Sequence, residues 1–66
     1  SILNIALPSN YMLSSIKLED VVGKLVMKEQ TNANQYQLDL SNLETGIYFI
    51  ELAVEGQVYR KQLIKD

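Results

Sequence analysis

The sequence predicts an all-β fold, a small antiparallel β-sandwich of about six or seven strands in one domain spanning residues 1–66. Three observations point there. Short apolar or alternating runs recur along the chain, separated by turn residues, at the spacing of a sandwich or barrel. β-branched residues fall where a helical period would otherwise compete. A length of 66 residues allows one small domain and no more.

The elements follow in order. "ILNIAL" (Ile2 to Leu7) is the first strand and ends at the breaker Pro8, Ser9, Asn10. "SSIKLE" places Ile16 and Leu18 on one face, "DVVG" is a turn, and "KLVMKE" is the next strand. "TNAN" (Thr31 to Asn34) reads as a polar loop, and "YQLDL" sets Tyr36, Leu38 and Leu40 on one face. "IYFIELAV" and "VYRKQLIK" close the chain as two further strands. The stretch "YMLSSIKLEDVVGKLVMK" partly fits a helix, but Gly23 interrupts it and Val21, Val22 and Val26 favour extended backbone.

Two hairpins are expected. With Asp20 to Gly23 as a four-residue loop, Glu19 faces Lys24, Leu18 faces Leu25 and Ile16 faces Met27. Gly23 supplies positive φ at the end of that loop. In the last hairpin, a two-residue turn at Glu55 and Gly56 pairs Leu52 with Tyr59, Glu51 with Arg60 and Tyr48 with Leu63. A three-residue loop, Glu55 to Gln57, would pair Glu51 with Lys61 instead.

Between these hairpins, Leu43, Gly46 and Tyr48 form L-x-x-G-x-Y, the spacing of the tyrosine corner of immunoglobulin-like sandwiches. The chain leaves one sheet after Leu40 and crosses to the other. Leu43 fills the corner, Gly46 permits the sharp path, and the Tyr48 hydroxyl bonds an upstream backbone group, worth about 1 kcal/mol net. The fold expected is therefore immunoglobulin-like.

Composition excludes several functions. A domain this small buries only about 60% of the surface of its unfolded chain. With no cysteine and no histidine, it has no disulfide and no zinc ribbon. A net charge of −2 with interleaved signs argues against nucleic acid. No apolar run reaches the length of a membrane span. Glu19 and Asp20 diverge as neighbours and make no catalytic dyad, and Asp39 and Glu44 lack calcium-loop spacing. No catalytic, metal or cofactor-binding residue is expected. Arg60, Lys61 and Lys65 beside Lys24 read as a patch for an acidic partner or, preferably, as charges protecting an edge strand. Ile47 and Phe49 oppose Tyr48 and Ile50, so their strand is either covered on both faces or offers a partner patch. The chain opens without an initiator methionine or signal peptide, so a domain cut from a longer protein is expected. Its apolar, uncharged first strand is expected to be an exposed edge, open to strand exchange in a dimer of the isolated domain.

Taken together, "LSSIKLEDVVGKLV", "QYQLDLSNLETGIYFIEL" and "EGQVYRKQLIKD" resemble the C-terminal sorting domain of the type IX secretion system, type A. The family's D-x-x-G-K-x-V turn corresponds to Asp20, Gly23, Lys24 and Val26. Its L-x-x-L-x-x-G-x-Y crossover corresponds to Leu40, Leu43, Gly46 and Tyr48, and its G-containing hairpin with a lysine-rich end to Gly56, Lys61 and Lys65. The resemblance implies a non-catalytic address on an N-terminal cargo that has reached the periplasm. An outer-membrane translocon recognises the folded domain, and a sortase-like signal peptidase removes it as the cargo reaches the surface. It also implies recognition through Gly23, Lys24, Val26, Gly46, Tyr48, Lys61 and Lys65. The rival reading is a passive immunoglobulin-like spacer or adhesion module of a secreted protein, which shares the fold.

Overall fold

The strand LSSIKLE, β2 (Leu13–Glu19), is the centre of the molecule. The computed structural model describes residues 1–66. It sets β2 between β3 (Leu25–Ala33) and β5 (Gly46–Val54), and β6 (Gln57–Lys65) completes an antiparallel sheet in the order β3-β2-β5-β6. β1 (Ile2–Ala6) and β4 (Gln35–Asp39) pair antiparallel as a second, two-stranded sheet. The expected all-β sandwich is observed, with six strands.

Ile16 and Leu18 alternate, but Leu13 stands three residues before Ile16, where strict alternation would send it to the opposite face. A register shift between Leu13 and Ser15 in both ladders absorbs the extra residue. Leu13, Ile16 and Leu18 are then all completely buried, at 0% exposure. The same shift explains the partial helical period of this segment. Ser14 Oγ donates to the Ala53 carbonyl at 3.1 Å beside it.

Ile5, Leu38 and Leu40 come from the second sheet and its exit, and Tyr48, Ile50 and Val54 from β5; together with the three β2 residues they form the core. Burying one such aliphatic side chain contributes about 1.5–3 kcal/mol. The chain changes sheet three times, at Leu7–Met12, at Asn34 and at Leu40–Thr45. The first crossing carries a turn closed by Tyr11 N donating to Pro8 O at 2.9 Å.

Two expectations are corrected. The β2–β3 register pairs Glu19 with Leu25, Leu18 with Met27 and Ile16 with Glu29, not Glu19 with Lys24, Leu18 with Leu25 and Ile16 with Met27. The loop runs from Asp20 to Lys24, one residue longer than expected, and a second irregularity gives β3 one extra residue opposite Leu18 and Glu19. It lets Val26 and Met27 both pack on the core while Leu25 turns outward. "TNAN" is not a loop, because β3 continues through Ala33 and only Asn34 lies outside a strand. In β6, Leu63 packs inward while its neighbour Ile64 is 63% exposed.

The last hairpin takes its two-residue turn, with Val54 opposite Gln57 and Glu51 opposite Arg60. Glu55 and Gly56 both have positive φ, at 50° and 78°, as a type I′ turn requires. An L-residue in that region costs about 1–2 kcal/mol. The Glu55 carboxylate gives something back, since it accepts a hydrogen bond from Met12 N at 3.0 Å and ties this turn to the start of β2. β1 pairs with β4 alone, so its other edge is open, as expected.

Candidate recognition groove at one end of the sandwich

The β2–β3 turn is built by one carboxylate. Asp20 Oδ1 accepts from Val22 N at 3.1 Å and from Lys24 N at 2.9 Å. The Asp20 backbone also donates to Lys24 O and accepts from Gly23 N, both at 3.0 Å. Gly23, at φ 86°, makes the reversal that these bonds demand. The D-x-x-G-K pattern is therefore a closed loop with physical reasons at its first, fourth and fifth positions.

The β4–β5 crossover forms the facing wall. Leu43 N donates to Leu40 O at 3.0 Å and starts the corner. Tyr48 is buried, and its hydroxyl donates to the Glu44 carbonyl at 2.7 Å, so the tyrosine corner is present. Gly46 sits between them at φ 155°. Upstream, the Ser41 hydroxyl and the Ser41 backbone N–H both donate to Asp39 Oδ1. These two bonds hold the Asp39 carboxyl below its usual range, with help from the positive charges of the Ser1 amino terminus and Lys65.

Turn and crossover enclose a groove of about 420 Å³. Asp20, Val21, Lys24 and Val26 line one side, and the crossover from Asn42 to Tyr48 lines the other. Of the residues singled out from sequence, Lys24, Val26, Gly46 and Tyr48 meet here, and Gly23 shapes the turn. Lys65 joins them from β6: it lies opposite Gly46, and its Nζ donates to the Leu43 carbonyl at 2.9 Å. Lys61 does not, being exposed opposite Ile50 in mid-strand. Gly56 is at the far end of the β5–β6 ladder, about 26 Å away for a strand of this length.

Two lining features were harder to read in the sequence. The Asp20 carboxylate looks like ordinary turn solvation until its two backbone partners are seen, although an aspartate opening a turn that contains glycine is a known signal. Val21 is 66% exposed and Val22 83%. Two valines at a loop tip carry no periodicity that would mark them.

The basic residues near this end do not act as one patch. One Arg60 nitrogen, Nη1, bonds both Glu19 Oε1 and Glu51 Oε2 at 3.1 Å, and its guanidinium carbon stands 4.9 Å above the Phe49 ring. Phe49 is thereby partly covered. Ile47, 43% exposed, and its cross-strand partner Ile64 stay open on that face, next to the groove. No group of three or more acidic residues is placed to hold a metal ion. The groove offers exposed aliphatic side chains, one lysine and backbone polar groups: the chemistry of a contact surface.

The whole chain, residues 1–66, matches a family model described as the secretion system C-terminal sorting domain. No curated protein and no solved structure matches it.

Proposed function

Since the chain belongs to the secretion system C-terminal sorting domain family, we propose that it is a type A signal whose groove end is the face read by the type IX translocon. Members of this family act as sorting signals in type IX secretion and direct proteins to the cell surface or beyond it. The domain works as a folded address and not as a catalyst. Its cargo is the protein joined to its N-terminal side. That cargo crosses the periplasm first, and a sortase-like peptidase removes the domain at the surface.

One observation carries this reading. Two motif segments about twenty residues apart in sequence, the Asp20–Val26 turn and the Leu43–Tyr48 crossover, form opposite walls of one groove. Tyr48 and Asp20 there do structural work inside the wall, whereas Val21, Lys24 and Ile47 turn outward and are free to meet a partner. Lys61 and Gly56 lie away from this end and serve hairpin and edge instead.

The test is surface display of a reporter fused ahead of this chain, in a bacterium that has the export system. Val21→Glu and Ile47→Glu place charge on the groove end at already exposed positions. Val58→Glu does the same at a 64% exposed position near the other end of β6. Display should fall for the first two and hold for the third. Equal display of all three would refute the groove. A wild-type fusion that never reaches the surface would refute the sorting role and favour a spacer.

A further inference from the structure

We infer that Lys65 is a positioning residue: its ammonium clamps the Leu43 carbonyl, so that the groove wall is complete only when the last strand is docked. This rests on the groove being the recognised face. The Leu43 and Glu44 carbonyls are consecutive in the crossover, and neither accepts a backbone N–H. Each is met instead by one side-chain donor, Lys65 Nζ at 2.9 Å and Tyr48 Oη at 2.7 Å.

Both donors come from one face of the same ladder. Gly46 faces Lys65 and Tyr48 faces Leu63, so the two donors stand on alternate rows of the β5–β6 pair. They grip the crossover at adjacent peptide groups and fix its path. The Lys65 bond is charge-assisted and part-buried, which strengthens it and sets its geometry. Holding a lysine side chain still is entropically costly, so an ordered one marks an interaction that offsets the loss. Lys61, four residues earlier on the same face, is exposed and makes no such bond. The two lysines therefore differ in kind. Lys65 belongs to the wall, while Lys61 is a solvated edge charge.

A chain whose last strand is frayed at Lys65 loses one of two fasteners on the groove. The groove thus reports that the C-terminal strand has folded. Recognition there discriminates completed domains from incomplete ones.

A wild-type measurement tests the clamp first. In the labelled chain, a hydrogen-bond scalar coupling between Lys65 Nζ and the Leu43 carbonyl carbon is expected, and its absence would overturn the inference. Lys65→Met keeps the aliphatic stem and removes the donor. Amide exchange at Leu43, whose N–H bonds the Leu40 carbonyl, and at Gly46, paired with Lys65, should then quicken about tenfold, while Ile16 and Leu18 in the core stay protected. Lys65→Arg should restore both protection and display, and Lys61→Met should alter neither. Lost display with unchanged crossover exchange would mean that the ammonium itself is read, and would overturn a positioning role. Faster exchange with normal display would overturn it too, unless Val21→Glu and Ile47→Glu also display normally; the fault would then lie with the groove reading, and the clamp would stand. If Lys65→Met fails to fold, the coupling and Lys65→Arg still decide.

Discussion

Tyr48→Phe isolates the corner. The substitution removes one oxygen and leaves the ring in its buried place, 7% exposed. What is lost is the 2.7 Å bond to the Glu44 carbonyl, which accepts from this hydroxyl and from no backbone N–H. A net hydrogen bond contributes about 1 kcal/mol, and an acceptor left without a partner adds to the loss, although water reaches a part-buried group. The expected destabilisation is about 1.5 kcal/mol. Against a total of roughly 3–10 kcal/mol for a domain of this length, that is a sizeable fraction. It should lower Tm by about 6–12 °C. Urea unfolding followed by circular dichroism measures it, with m unchanged because the buried area is unchanged. Tyr59→Phe, at a 55% exposed tyrosine, is the control and should stay within about 0.5 kcal/mol of wild type. Equal midpoints for Tyr48→Phe and wild type would show that the hydroxyl does not hold the crossover, and the corner argument would fail.

The turn carries two further expectations. Asp20→Ala strips two backbone N–H groups of their acceptor and should cost about 1–2 kcal/mol, on the scale of a lost cap. Asp20→Asn, which keeps an oxygen, should recover most of it in the same urea assay, and equal losses for both would argue against the hydrogen bonds. At Gly23 and Gly46 nothing lies within 4 Å of an added Cβ, so any penalty there is backbone strain alone. Gly23→Val should cost more than Gly23→Asn, since asparagine tolerates positive φ and β-branched residues resist it; similar melting temperatures for the two would refute strain as the cause.

Much of this protein is written in residue order. Alternation in "YQLDL" assigned its strand and its buried face, because a strand's side chains alternate whatever it packs against, while in "IYFIELAV", apolar on both faces, the corner spacing marked Tyr48 as the inward residue. The corner was legible for the same local reason, since its donor and acceptor lie only four residues apart, whereas residue order left two loops open at Glu55 and the observed register selects the two-residue turn. Tertiary structure decided what local chemistry leaves open. The register of β3 depends on an inserted residue that is stabilised only when Val26 and Met27 find the core. "TNAN" became strand because β2 and the sheet change at Asn34 supplied partners that its polar composition does not announce. Arg60 reads as the cross-strand partner of Glu51 alone until folding brings Glu19, forty-one residues away, onto the same guanidinium. Lys65 reads as edge protection until the crossover, twenty-two residues upstream, offers it a carbonyl. Sequence shows which groups need partners. Only closure of the chain brings together groups so far apart, because the contact exists solely once the entropy of joining them has been offset by the core.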